Sequence, residues 1–259
     1  MKRSRLPLII TGLVLLFFYL PIMVLVVNSF NASAFSGHWE GFSLRWYIKL
    51  MNQRDIMMAL ENTLIIAASA TLVSCVLGST AAFALHYYKS ALQHWHFTLI
   101  YTPLVIPEIL MGMSLLLTFV AVGMKLGLFT IFLAHVTFCI SYVAMIVLAR
   151  LQDFDFSVLE AARDLGANWW VTTWRILTPM LAPGIASGAL LALTLSIDDF
   201  VISFFVAGPG STTLPIRIYS MIKFGSPALL NALSTILLVI TFILVWLSQH
   251  LLIKKEEEK

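Results

Sequence analysis

Six long apolar runs decide what this chain can fold into. They lie near 7–30, 59–85, 97–122, 129–149, 183–205 and 231–253. Each is long enough for the roughly 20 residues that a helix needs to cross a bilayer core. Hydrocarbon offers no water to unpaired backbone groups, so spans of this length must be helices. Composition agrees: 60% of residues are hydrophobic and 11% are charged, against about 25% charged in an ordinary soluble domain. So little charge cannot cover a water-exposed surface. The predicted class is all-α, a polytopic membrane protein with six transmembrane helices in one domain over 1–259.

An even number of spans puts both termini on one side of the bilayer. Lys and Arg gather at the termini and in the second and fourth loops, around Lys89, over 150–182 and in the tail. The positive-inside rule then predicts both termini in the cytoplasm. Lys2, Arg3 and Arg5 ahead of an apolar run resemble a signal peptide, and Ala32-Ser33-Ala34 resembles a cleavage site. A signal core is only about 7–15 residues long, and this run is longer, so it reads as a retained first span. Lys254-Lys255-Glu256-Glu257-Glu258-Lys259 reads as a solvated end.

Several chemistries find no support in the sequence. Cys75 and Cys139 stand alone inside spans, where small apolar packing is their ordinary role. No Cys/His spacing suggests a metal site, and His94-Trp95-His96 reads as an interfacial patch. No GxxxxGK[ST] motif occurs; Gly208-Pro209-Gly210-Ser211-Thr212-Thr213 lacks the lysine and reads as an external turn. No activated nucleophile or acid/base pair sits in a water-accessible loop. The chain is expected to carry no catalytic residue, no metal and no cofactor of its own.

The 150–182 loop is polar and organised. Ser157-Val158-Leu159-Glu160 fits a capping box, which would start a short helix over 158–165. Gly166 suits the left-handed position that ends it. Asn168 can cap a second helix through Trp169, Trp170, Trp174 and Ile176, expected to stop at Pro179. Val158, Leu159, Ala162 and Leu165 give the first helix an apolar stripe. A plain interfacial anchor would be basic, whereas this helix is acidic and followed by a glycine elbow.

Glu160-Ala161-Ala162, then Gly166 four residues after Ala162, then Ile176, resembles the EAA loop of membrane subunits of binding-protein-dependent ABC importers. The family pattern continues Ile-x-Leu-Pro; here Ile176-Leu177-Thr178-Pro179 has threonine in place of leucine. The resemblance implies a type I importer permease whose short helix docks on a cytoplasmic ATPase dimer, with Leu165 and Pro179 part of the same coupling element. ATP and Mg²⁺ would then be handled on that partner.

Four acids lie in or at the spans: Glu61, Glu108, Asp198 and Asp199. An acid at the bilayer centre costs roughly 2.5–3.5 kcal/mol on insertion scales and usually faces a bundle interior or wet cavity. Along straight helices, Glu61 falls near the outer rim and Glu108 about 17 Å into the third span. The aspartates fall about 23–24 Å along the fifth, completing an acidic ladder. Pro103 and Pro107 should kink the third span, and a broken helix at membrane depth is tolerated beside a cavity. If the fifth span is a continuous helix, Asp198 and Asp199 point about 100° apart. Asp199 then shares a polar stripe with Ser196 and Ser203 and lines a passage, while Asp198 pairs with a neighbouring element. A buried structural pair remains the alternative for both.

Acids with aromatic neighbours such as Phe200, Phe204 and Tyr219 suit an elongated cation. Leu195-Ser196-Ile197-Asp198-Asp199-Phe200-Val201 and the Phe204–Pro215 stretch resemble the spermidine/putrescine permeases of the C/I type. So do Asn28-Ser29-Phe30-Asn31, Arg45-Trp46-Tyr47, His135-Val136-Thr137-Phe138-Cys139 and Tyr219-Ser220-Met221. That likeness implies polyamine import, a second homologous permease subunit as heterodimer partner, and a periplasmic binding protein received on loops 31–58 and 206–230. Import of another cationic or zwitterionic solute remains open. An ion-coupled secondary transporter would call for repeated halves with paired broken helices, and no internal repeat is visible.

Overall fold

The computed structural model describes residues 6–35, 37–88, 91–152 and 154–257, with side chains described as far as Ile243. Lys2, Arg3, Arg5, Lys89 and the tail's charged side chains, used above to orient the chain, lie outside the described residues. The chain packs as two compact units, Met1–Met57 with Ile218–Lys259, and Met58–Arg217.

The first unit holds α1 (Leu6–Ser29), α2 (Arg45–Met51) and the whole of α12 (Pro227–Glu257), with α1 and α2 both packed on α12. Apolar side chains are exposed all round α1, Phe17 by 76%, as expected of a helix surrounded by lipid or other apolar helices. The loop after α1 is tied by Asn31. Its Oδ1 accepts from the Ser33 and Glu40 amides at 3.1 and 3.0 Å, and its Nδ2 donates to the His38 carbonyl at 2.6 Å. Trp46 closes the loop by donating from Nε1 to the Asn31 carbonyl at 2.9 Å.

The second unit holds most of α3 (Arg54–Tyr87), then α4 (Gln93–Val105), α5 (Glu108–Ala121), α6 (Leu128–Gln152), α7 (Ser157–Asp164), α8 (Trp169–Val171), α9 (Thr178–Asp198) and α10 (Val201–Val206). A π-helical segment, Thr172–Leu177, joins α8 to α9, so that Trp169–Asp198 runs as one helix. α11 (Leu214–Lys223) follows α10. Among the described residues no strand forms; one isolated bridge links Asn31 and Phe42.

Four helices among the described residues are long and apolar enough to cross a membrane: α1, α3, α6 and Trp169–Asp198. The α4–α5 pair makes a fifth if counted as one span. The expectation of six is therefore met only in part. The run at 231–253 falls in α12, whose described apolar stretch ends at Ile243.

Helix α6 lies at the centre of this unit because its neighbour α9 presents small residues to it. Gly184, Gly188, Ala192 and Ser196 recur every fourth residue and are all buried, which places them on one face of the helix. Opposite them stand Arg150, Val143, Cys139 and His135 in descending order. A Cβ at Gly188 would sit 3.3 Å from Val143 Cγ1 and 3.4 Å from its Cα. Cys139 Sγ approaches the Ala192 carbonyl oxygen at 3.6 Å. Helices in lipid gain no hydrophobic drive from meeting each other, so close van der Waals approach over small residues must hold them.

Two spans are interrupted, one where the prolines lead a kink to be expected and one where no break is expected. The third is broken by 111° between α4 and α5. Ile106 is extended (φ −67°, ψ 130°) and Pro107 precedes α5 with ψ 134°. The residue before a proline is biased away from the helical region; Ile106 follows that bias and the break is at Ile106–Pro107, while Pro103 is carried inside α4 without ending it. The straight-helix depth for Glu108 therefore does not hold, because the axis turns just before it. The fifth span does not run to 205. It ends at Asp198; Asp199 is extended (φ −62°, ψ 118°) and α10 starts afresh at Val201. Two aspartates on one helix at 100° is thus the wrong picture.

If the α6–α9 seam holds the unit together, Gly188→Leu destabilises by about 1–3 kcal/mol, the usual cost of overpacking. The thermal midpoint of the purified protein in detergent should drop. Gly12→Ala, at a position with nothing within 4 Å of the added carbon, should leave it unchanged.

Candidate functional site

The two broken helices meet at one cavity of ≈ 280 Å³, lined by Pro103, Glu108, Phe138, Asp198, Asp199 and Phe200 among others. Glu108 opens α5 immediately after one break, and Asp198 and Asp199 flank the other. Three of the four acids singled out in the sequence are brought together. Glu61 is exposed on α3 and does not line the cavity; its neighbour Asn62 instead ties the 208–213 loop, donating from Nδ2 to the Thr212 carbonyl at 3.0 Å. Leu214 N–H completes that tie on Thr63 Oγ1 at 2.8 Å.

The aspartates differ in their surroundings. Asp198 is exposed, whereas the Asp199 side chain is only 6% exposed. Asp199 caps the restarted helix: Oδ1 accepts from Ile202 N–H at 3.3 Å and Oδ2 from Ser203 N–H at 2.8 Å. The pairing with a neighbouring helix expected of Asp198 is made by Asp199, through His135 on α6. His135 Nε2 lies 3.3 Å from Asp199 Oδ2 and 2.9 Å from Ser203 Oγ. Nδ1 lies 2.6 Å from Ser196 Oγ. A carboxylate only accepts, so a hydrogen bond from this ring to Asp199 uses the tautomer protonated at Nε2.

His135 entered the sequence reading only inside a resemblance, not as a partner. The available signal was a lone ionisable side chain in the middle of a span, which requires a partner at that depth. Phe200 packs on Phe204 with ring centroids 5.4 Å apart and the planes tilted by 40°, so an aromatic ring adjoins the acids.

At the other end of the Trp169–Asp198 helix lies the loop singled out by Glu160-Ala161-Ala162. Helix α7 starts at Ser157, but not through the expected capping box. Phe156 occupies the cap position with no side-chain bond, and Asp155 Oδ1 accepts from Ser157 N–H at 3.0 Å. Asp155, two residues earlier, competes for the donor that the box would use. Hydrogen bonds from Ser157, side chain first and backbone second, hold the Asp155 carboxyl below the usual range. At the C-terminus Gly166 has φ +84°. Its N–H donates to the Arg163 carbonyl at 2.9 Å and Ala167 N–H to Ala162 at 3.0 Å, the paired bonds of a Schellman end. Asn168 Oδ1 caps the next helix on Val171 N–H at 2.9 Å. That helix does not stop at Pro179, which directly follows the π-helical Thr172–Leu177 segment and is carried inside the continuous Trp169–Asp198 helix.

The expected stripe on α7 is split. Leu159 and Ala162 are buried, while Leu165, past the last helical residue, is 90% exposed. Glu160, Ala161 and Gly166 are exposed beside it; Ile176 is half-buried and Pro179 exposed behind. An aromatic cluster fixes this elbow to the end of α3. Phe156 stacks on His86 with centroids 5.1 Å apart and Phe83 approaches Trp169 at 6.1 Å. Arg163 lies over the Tyr87 ring at 6.0 Å and donates to its hydroxyl at 3.2 Å. Phe156→Ala should loosen the elbow by about 1–2 kcal/mol, less than a fully buried phenylalanine would lose. Faster tryptic cleavage after Arg163 in the purified protein would show it.

Comparisons with known proteins bear on this arrangement. The family model described as binding-protein-dependent transport system inner membrane component matches residues 74–254. The chain is 39% identical over 243 residues to the spermidine/putrescine transport system permease protein PotC of Escherichia coli strain K12, covering 94% of this chain and 91% of that one. It is 40% identical over 264 residues to the putrescine transport system permease protein PotI of the same strain, covering 99% and 94%. Among solved structures, a bacterial ABC transporter involved in import of the acidic polysaccharide alginate matches with a TM-score of 0.78 at 14% identity. The match covers 96% of this chain and 98% of that one, and it is a likeness of fold alone. The chain belongs to the binding-protein-dependent transport system inner membrane component family.

Proposed function

We propose that this chain is the membrane permease subunit of an ATP-driven, binding-protein-dependent importer of polyamines, taking spermidine, putrescine or both. The observation that carries the reading is the cavity at two helix breaks, walled by Glu108, Asp198 and Asp199 with Phe200 beside them. A polyamine is a string of ammonium groups joined by methylene segments. Carboxylates attract the charges and aromatic faces accept both charge and methylene. Two permeases named for spermidine/putrescine and putrescine transport, 39% and 40% identical along nearly the whole chain, support the same substrate.

In this reading 1–259 forms one permease domain, half of a pore completed by a second homologous permease subunit. It sits in a bacterial inner membrane with both termini cytoplasmic. A periplasmic binding protein selects the polyamine and delivers it. Sites along the path must be weak enough to release what they attract, so selectivity belongs to the binding protein and passage to the acids. The chain performs no catalysis. It carries no metal or cofactor, and ATP with Mg²⁺ is bound and hydrolysed on a cytoplasmic ATPase dimer.

Coupling follows from the one long helix. Glu160, Ala161 and Leu165 present an exposed face to the ATPase, with Gly166 as the elbow and Ile176 and Pro179 leading into α9. From Trp169 to Asp198 the helix has 30 residues, roughly 45 Å at 1.5 Å each. A displacement of the elbow is thereby delivered to the end that carries Asp198. Import of an anion is disfavoured by the same cavity, since like charges repel within it.

The test is uptake of labelled putrescine, spermidine and an anionic control in cells lacking the chain, with and without its restoration. Restored uptake of at least one polyamine and not of the anion is expected; restoration of neither polyamine removes the substrate assignment. Asp199→Asn should lower uptake several-fold while the binding protein's affinity stays unchanged, and an unaltered rate would take Asp199 off the path. Gly166→Val forces a side chain into the left-handed region at about 1–2 kcal/mol. ATPase association, measured by co-purification, should weaken with it.

A further inference from the structure

We propose that His135 is a positioning residue for substrate passage, holding Asp199 across the α9–α10 break so that its carboxylate stays at the wall of the acidic cavity. The inference rests on the reading of that cavity as the polyamine path and adds a residue from outside its three acids.

His135 is 1% exposed and sits within α6. Both of its ring nitrogens are engaged, and every partner lies on the broken span. Ser196 is in the last turn of α9, Asp199 is at the break, and Ser203 is in α10. One imidazole therefore spans both sides of a discontinuity that contains no proline and no glycine. Its placement is set by the small-residue seam, since Ser196 continues the row Gly184, Gly188, Ala192 that lets α9 approach α6. His135 also lies against Phe138, with centroids 5.3 Å apart, and Phe138 lines the cavity.

Asp199 has about four acceptor directions on its two oxygens. Ile202 N–H, Ser203 N–H and His135 occupy three of them. Helix capping alone needs only a short oxygen-bearing side chain, and serine or asparagine serve it as well as aspartate. A cap that is also held from a second helix by a ring donor is overdetermined for capping. Fixing the position of a charge in a cavity accounts for it, because a charge that can swing away stabilises a passing cation less than one held in place.

Two amides separate this role from simple packing. The His135→Gln nitrogen can stand where Nε2 stands and reach Asp199. His135→Asn reaches only as far as Nδ1, keeping the Ser196 side and losing Asp199. The complete importer, with its binding protein, partner permease and ATPase, is reconstituted in vesicles. Polyamine imported per ATP hydrolysed is then measured for putrescine and spermidine. His135→Gln should stay within about twofold of the unaltered importer and His135→Asn should fall about tenfold, within the range of coupling between contacting residues. His135→Asn combined with Asp199→Asn should be no worse than Asp199→Asn alone.

Equal ratios for the two amides, an additive double variant, or failure of both amides to assemble would overturn the proposal and leave His135 a packing residue. An unaltered importer that assembles and hydrolyses ATP but moves neither polyamine fails in its own arm. That outcome removes the substrate reading and this inference together, whereas the others leave the substrate reading standing.

Discussion

The approach of α9 to α6 sets the rest of the second unit. With glycine at 184 and 188 and alanine at 192, the helix backbones come close enough that Ser196 meets His135. That meeting fixes where the fifth span can break, because the same imidazole reaches Asp199 and Ser203 beyond the break. The aspartate can then cap a fresh helix instead of extending the old one. Close packing over small side chains is thus converted, within a few residues, into a polar junction next to a cavity. Two amides beyond the break, those of Ile202 and Ser203, are paired by the Asp199 carboxylate, as irregular backbone at membrane depth favours.

The two breaks that frame the cavity arise differently. Between α4 and α5 the cause is largely local: Pro107 disfavours helical geometry at Ile106, which is extended. Between α9 and α10 the cause is tertiary, a buried acid whose partners lie on α6 and in the next turn. The first break has part of its cause in the chain's own local chemistry, while a hydrogen-bonded one persists only while its partners are in place. The cavity therefore has one wall with a local cause and one that is conditional, and the long helix from the elbow ends at the conditional one.

These causes decide how much was legible in the sequence. Apolar length located α1, α3 and α6, and Gly166 and Asn168 marked their turns correctly, because each depends on local chemistry alone. Pro107 signalled a break but not an angle of 111°, which packing sets. Ser157-x-x-Glu160 matched a capping box, yet Asp155 lay close enough to take the donor. Pro179 looked like a terminator, but the helix turns to π geometry just ahead of it and continues. The stop at Asp198 was invisible: Ser196-Ile197-Asp198-Asp199-Phe200 contains no breaker, and the interaction that ends the helix comes from a residue 64 positions earlier in the chain. Of the candidate site, the three cavity acids could be found as costly charges in apolar runs, while the partner that holds one of them could not be found by spacing.

The fourfold row on α9 also limits how the chain can vary in length. A residue inserted or deleted anywhere between Gly184 and Ser196 would turn everything beyond it by about 100° around the helix axis. Ser196 would leave His135, and the break would lose the side chain that fixes it. A loop such as 208–213 carries no such phase, since its ties to Asn62 and Thr63 are reached by backbone atoms that can be re-routed. Length changes should therefore accumulate outside the 184–199 segment, while within it descendants of this sequence can exchange side chains but not gain or lose a residue.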